Sequence, residues 1–349
     1  MKHLILIVML LVIANTPVLA SDCDGCDTTE ALAGLTAAAI EKLEVVELVH
    51  LEPNTKLMHD RWYARLNGTV AVHDAPHGNV TRVIDDGFNF VTVMTEQDGW
   101  TQINPNEWIL SESASTSNHV ISSFTGFFYP EGQLDYTLAW ALVNMYPSKE
   151  PGGNPSEQFE RIDRYDVLRI FATAEVDGIR WYQVAPDQWV HQHRVAKVLP
   201  LQQVPSTVDT ERWISIDLFE QVLIAYDEEG PVFATLVSTG LPRWPTYEGT
   251  FNIYIRHQRE FMSWGTVGDD FYSLEEVPWT MFFDAGRALH GAYWHDGFGY
   301  RRSHGCVNLS ITDARWLYDW VAEVMGSRSS RVREQGPIVY VYSSDQYTD

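Results

Sequence analysis

The chain has 349 residues, of which 45% are hydrophobic and 13% aromatic. That is apolar material for several packed cores, which excludes a disordered chain, and at about 150 residues per domain two or three domains are expected. A formal net charge of −23 excludes nucleic acid, teichoic acid and anionic lipid as partners held by bulk attraction.

The first twenty residues, MKHLILIVMLLVIANTPVLA, carry Lys2, an apolar run from Leu4 to Ala14 and the small-residue ending Val18-Leu19-Ala20. The run is too short to span a bilayer, so it reads as a secretory signal peptide cut after Ala20. An exported protein, wall-associated or secreted, is expected, with no integral membrane segment after cleavage. Lipid anchoring at Cys23 is the runner-up, disfavoured because Asp22 stands where such signals carry a small residue. Cys23 and Cys26 of DCDGCD are expected to form a small disulfide or to lie in a loose terminus. No second ligand pair is present for a zinc knuckle, and Cys306 is left unpaired.

Residues 21–60 predict an N-terminal helical segment, because Leu32, Leu35, Ile40, Leu43 and Val46 recur at roughly helical spacing before Pro53. Two units of short alternating strands follow, at 61–115 and 136–200. They share an internal match: WTQINPNEWI from Trp100 against WYQVAPDQWV from Trp181. Two copies this far apart are separate β-units rather than solenoid repeats. Each resembles a bacterial SH3-like domain, a small β-barrel found beside cell-wall enzymes. Its tryptophans either fill the barrel core or contact the wall.

The last unit, 212–343, alternates Ile214, Ile216 and Leu218, then Val222, Ile224 and Tyr226, across the turn Asp227-Glu228-Glu229-Gly230. One helix is predicted after Ser310, with Asp313 three residues on as its capping partner, Ala314, Leu317, Tyr318 and Val321 as its buried stripe, and Gly326 as its stop. A closing strand covers residues 337–342.

Between the strand signal RALHG and that helix lies the stretch 289–309, LHGAYWHDGFGYRRSHGCVNL. It has neither strand nor helix period, and it gathers three histidines, a serine, a cysteine and an asparagine among glycines, so it is expected to carry chemistry. A cysteine nucleophile needs a base or a positive dipole beside it. The candidates are His290, His295 and His304. His304 stands two residues from Cys306, whereas His290 reaches it only if the intervening loop doubles back.

RALHG followed by SHGCVN resembles the signature of the L,D-transpeptidases, the YkuD-type cysteine enzymes of the bacterial cell wall. The upstream STG (Ser238 to Gly240) and T-x-x-G (Thr246 to Gly249) look like that family's paired strand-end motifs. The resemblance implies a mainly β protein in which two small SH3-like β-barrels precede a β-sandwich-like catalytic domain with one prominent helix after the cysteine. It implies Cys306 as nucleophile, His290 as general base with His295 in reserve, and the Gly291 carbonyl orienting the imidazole. Ser303, His304 and Gly305 would shape the nucleophile loop, and the Gly305 and Cys306 amides would serve as oxyanion donors. Asn308 follows the variant of the motif that ends in asparagine.

The implied reaction cross-links the diamino acids of peptidoglycan stem peptides, donor and acceptor, with release of D-alanine. Carbapenems are the implied inhibitors and no cofactor is implied. Tyr293, Trp294, Phe298 and Tyr300 are candidates for a lid or acceptor wall, and Arg301 and Arg302 for a stem-carboxylate contact. The same aromatics would otherwise pack the loop onto the domain. Hydrolysis of the acyl-enzyme would make the protein an L,D-carboxypeptidase. A zinc site built from His290, His295, His304 and Cys306, and a wall-binding protein with a decayed domain, are the remaining alternatives; neither explains a paired nucleophile and base as well.

Overall fold

The computed structural model describes residues 34–115, 121–325 and 336–346. The expected signal peptide, the Cys23–Cys26 pair and the helix stop at Gly326 lie outside these residues. Among the described residues no helix is long and apolar enough to cross a membrane.

The protein is mainly β. One seven-stranded sheet runs in the order Val49–His50, Phe127–Phe128, Gly230–Leu236, Val222–Asp227, Trp213–Asp217, Ile338–Tyr342, Gly249–Asn252. A second runs in the order Val307–Leu309, Arg287–Gly291, Tyr272–Asp284, Phe88–Val93, Trp62–Leu66, Ala114–Ser115, with Ile255–Trp264 paired to Tyr272–Asp284 beside this path. Ile214, Ile216, Leu223 and Phe233 of the first sheet share one core with Met281, Leu289, Val307 and Leu309 of the second, and with Leu317 and Val321 of the helix Ile311–Met325. The two sheets and the helix thus enclose a common core, and each fully buried aliphatic side chain in it is worth about 1.5–3 kcal/mol.

Alternation explains why the strands from 213 to 236 read as almost unbroken apolar runs. Ile214 and Ile216 face that shared core. Trp213, Val222, Ile224 and Tyr226 face the opposite way, into a second core with Leu138, Trp140, Leu142 and Val198 of the second N-terminal unit. That first sheet is therefore covered on both faces.

The repeat is structural as well as sequential. Trp100–Asn104 pairs with Glu107–Leu110, and Ile179–Ala185 with Gln188–His191. Each hairpin turns through a Pro-Asx pair, with Asn106 at φ 62° and Asp187 at φ 54°, a left-handed position that Asn and Asp tolerate. A one-turn 3-10 segment follows each, Ser111–Ser113 and Gln192–Arg194. Trp100 and Trp189 are buried, and Trp108 and Trp181 half-buried.

The expected boundary at residue 115 is crossed by a ladder. Phe88, Asn89 and Phe90 pair in parallel with Tyr272, Ser273 and Leu274, so the first unit contributes strands to the same sheet as the candidate site.

The N-terminal helix is corrected to a single turn, Ala37–Ile40, among the described residues. Downstream of it, Val49 and His50 add to the strand Phe127–Phe128. The Val46 amide donates to the Tyr136 hydroxyl, and Arg169 to the Val46 carbonyl. These partners outweigh a helical pattern that the β-branched Val45, Val46 and Val49 already weaken.

The helix after the cysteine begins as the sequence predicts, with Ser310 Oγ accepting from the Asp313 amide at 3.2 Å. The Asp313 carboxylate is fully buried and accepts from Thr235 Oγ1 at 2.6 Å and from the Gly126 amide at 3.1 Å. Burial raises its pKa to about 6. Asp313→Ala, which strands those donors, is expected to cost about 2–4 kcal/mol in chemical denaturation. The sign for pH follows from the raised folded value: stability due to Asp313 is full below about pH 4 and is lost as pH rises through about 6. The stability of wild type relative to Asp313→Asn should accordingly decline from pH 4 to pH 7; a flat difference would show that the carboxyl does not titrate there.

Candidate active site

The stretch 289–309 does double back. Arg287–Gly291 and Val307–Leu309 are parallel neighbours in register, Leu289 with Val307, His290 with Asn308 and Gly291 with Leu309. Parallel strands need a long connection between them, which residues 292–306 supply without a helix. His290 is thereby set beside Asn308, two residues after Cys306. The Ala288 amide is directed at the Cys306 sulfur, and Ala288 stands two residues before His290 on the same strand. The strand pairing therefore brings the cysteine and His290 to one end of the sheet.

The loop carrying the cysteine is pinned from several sides. Ser303 Oγ accepts from the Gly305 amide at 3.0 Å and donates to the Cys306 carbonyl. Thr246 Oγ1 accepts from the Gly240 amide and donates to the Gly305 carbonyl, both at 2.9 Å. The STG and T-x-x-G motifs thus meet the nucleophile loop through one hydroxyl. Ser238 exchanges two backbone bonds with Asn308, each 2.9 Å. Gly305 sits at φ 115°, where a side chain would be strained and would meet Arg287. Because the Gly305 amide is taken by Ser303, it belongs to the loop's own bonding; the Cys306 amide has no partner among the described residues.

Two of the three histidines can be told apart by their bonds. His290 is buried, and its Nδ1 lies 3.1 Å from the Gly291 carbonyl. A carbonyl only accepts, so Nδ1 carries the proton and Nε2 is left as a bare acceptor. Burial lowers its pKa to about 4. His295 Nδ1 accepts from the Gly297 amide at 3.0 Å, which puts its proton on Nε2, 2.9 Å from the Asn308 side-chain amide. With that amide turned so that Oδ1 accepts, the otherwise unpartnered Asn308 Oδ1 is satisfied. Both His295 nitrogens are then in use. Burial first, then Arg302, lowers its pKa to about 3. For both histidines the folded value is depressed, so their contribution to stability is present above about pH 6.5 and is lost as pH falls toward 4.

His304 lies in an aromatic box, with ring centroids 4.0 Å from Trp244, 5.0 Å from Tyr272 and 6.0 Å from Trp264. Burial lowers its pKa as well. Cys306 is half-buried; burial pushes its thiol up, against the opposing pull of the Ala288 amide and the Arg287 guanidinium. Among the described residues no three His, Cys, Asp or Glu side chains gather closely enough to hold a metal ion.

The aromatic lid is corrected. Tyr293 is fully buried, stacked on Tyr63 at 3.9 Å and donating to the Glu275 carbonyl at 2.7 Å, and Phe298 is equally buried against the second core. Both serve packing because the first and second N-terminal units cover this loop. Trp294 is half-buried, 5.7 Å from the His290 ring, and Tyr300 is exposed. Arg302 is exposed but donates to the Gly297 carbonyl at 3.0 Å, and Arg301 to the Leu218 carbonyl at 3.3 Å. Sequence reading missed Tyr272, whose phenol is raised by burial and by the nearby Cys306, and Arg287. Tyr272 stands in no recognisable motif, and Arg287, though the first residue of RALHG, was given no role; each reaches the cysteine only through sheet pairing.

Residues 211–339 match the family described as the YkuD L,D-transpeptidase catalytic domain. YciB of Bacillus subtilis (strain 168), a candidate L,D-transpeptidase, is 24% identical over 136 residues, covering 35% of this chain and 66% of that protein. An Enterococcus faecium L,D-transpeptidase crystal structure is 25% identical over 38% of this chain and 50% of its own, with a TM-score of 0.32. The L,D-transpeptidase of Mycobacterium smegmatis is 21% identical over 51% of this chain and 90% of its own, with a TM-score of 0.33. This chain thus spans about two thirds of the Bacillus protein and half of the Enterococcus one. With the motif residues gathered as described, residues 211–339 form an L,D-transpeptidase catalytic domain of the YkuD family.

Proposed function

We propose that the protein is an exported peptidoglycan L,D-transpeptidase that works through a Cys306 thioester. The observation that carries this reading is the state of His290: its Nδ1 proton is committed to the Gly291 carbonyl, and its bare Nε2 lies on the strand paired beside the cysteine. As the Cys306 sulfur attacks the diamino-acid carbonyl of a donor tetrapeptide stem, Nε2 takes the thiol proton. The tetrahedral oxyanion is met by the unpartnered Cys306 amide. Collapse breaks the C–N bond to the terminal D-alanine, whose amine takes the proton from His290. The side-chain amine of a second stem then attacks the thioester, His290 accepts its proton, and the returning proton restores the thiol.

Defined disaccharide-tetrapeptides incubated with the full chain provide the test by mass spectrometry. Expected is a dimer lighter than two substrates by one D-alanine. Tripeptide without dimer would replace transfer by carboxypeptidase trimming. Neither product, together with no adduct on Cys306 from a carbapenem, would end the enzymatic reading.

A further inference from the structure

The turn at Asp296, Gly297 and Phe298 is held by a side chain from a distant part of the chain. Tyr165 belongs to the second N-terminal unit and sits at φ 75°. For a tyrosine that is an outlier, with a cost of about 1–3 kcal/mol. The conformation is over-determined, because the Tyr165 amide donates to the Ala141 carbonyl at 2.7 Å and the Ala141 amide donates to the Asp166 carbonyl at 2.9 Å. The strain aims the phenol. Its hydroxyl donates to the Asp296 carbonyl at 2.9 Å and accepts from the Phe298 amide at 3.2 Å, while its ring packs on Phe124 at 4.5 Å. Arg164 lies over that ring and donates to the same carbonyl, and Ser122 donates to the Asp296 carboxylate.

Between the two bonded residues is Gly297, whose amide is the group that fixes the His295 tautomer. His295 in turn meets Asn308, the register partner of His290 and two residues from Cys306. We propose that Tyr165 is a positioning residue for the catalytic pair, acting through the 296–298 turn, His295 and Asn308. The second N-terminal unit is then part of the active site's support and not only a spacer. The inference rests on the L,D-transpeptidase reading for its role in turnover, though not for its effect on the thiol.

Tyr165→Phe in the full chain removes the hydroxyl and keeps the ring. Expected is a kcat about tenfold lower with KM within about twofold, because positioning and not substrate contact is lost. Alkylation of Cys306 by iodoacetamide at pH 7 should slow by a similar factor, and the melting temperature should fall by only about 2–4 °C. Combined with His295→Gln, the hydroxyl should matter no further, since both act through one route.

Wild-type kcat and alkylation in the folded variant would overturn the proposal; so would a change confined to KM, or full additivity with His295→Gln. If wild type alkylates but transfers no stem, the transpeptidase reading fails while the alkylation comparison still decides the role of Tyr165. Should Tyr165→Phe not fold, Ser122→Ala loosens the same turn from Asp296 and is read in the same way, unchanged alkylation overturning the proposal.

Discussion

Cys306→Ala will lower transfer of tetrapeptide stems by about 10⁴-fold or more while the protein remains folded. The thiol is the proposed nucleophile, and the two loop hydroxyls beside it are already committed: Ser303 is bonded to Gly305 and Cys306, and Thr246 to Gly240 and Gly305. The fold loses little, since a half-buried sulfur meets one backbone amide, and a melting temperature within about 4 °C of wild type is expected. D-alanine release and thermal unfolding, measured on the same preparation, check both halves. Residual release near the wild-type rate would remove Cys306 from the nucleophile's role.

How the cysteine is made reactive was not legible in the sequence. A histidine near a cysteine suggests a preformed thiolate, but burial raises the Cys306 thiol and lowers His290 to about 4, both of which favour the uncharged forms. An ion pair would bury two charges with one carbonyl and one amide to satisfy them. Both directions favour a thiol and a neutral imidazole at rest, so in the proposed reaction proton transfer accompanies attack.

What could be read in advance was local. SHGC, the capped helix at Ser310 and the Pro-Asx repeat each depend on residues a few positions apart, and each is found where its pattern placed it. Non-local contacts were hidden. Tyr293 and Phe298 looked like exposed loop aromatics because the surfaces covering them, Tyr63 from the first unit and Leu142 from the second, are more than 100 residues away in the chain. The helical pattern gave a single turn among the described residues for the same reason: Val46 bonds to Tyr136 and Arg169 of the second unit, and the following Val49 and His50 add to a sheet edge. His290 and His295 were inseparable by spacing; only the acceptor at Gly291 and the donor at Gly297 distinguish a ring with a bare nitrogen from one with none.

That distinction makes His290→Gln the second large effect. Glutamine keeps roughly the size of the ring and a polar amide near the Nε2 position but offers no base. Acylation of Cys306 at pH 7, by a carbapenem or an alkylating agent, should fall by about 10²–10⁴-fold. The pH profile carries more information than the magnitude. In wild type the rate needs a thiol and a neutral His290, so it should be level across the neutral range and drop only as pH falls toward about 4, where the imidazole is protonated. In His290→Gln the reaction depends on free thiolate, whose fraction rises tenfold per pH unit below the raised thiol pKa. The variant should therefore climb steadily through neutrality and approach wild type in alkali. A level profile in the variant would mean that the thiolate forms without His290, and the base would have to be sought elsewhere around Cys306.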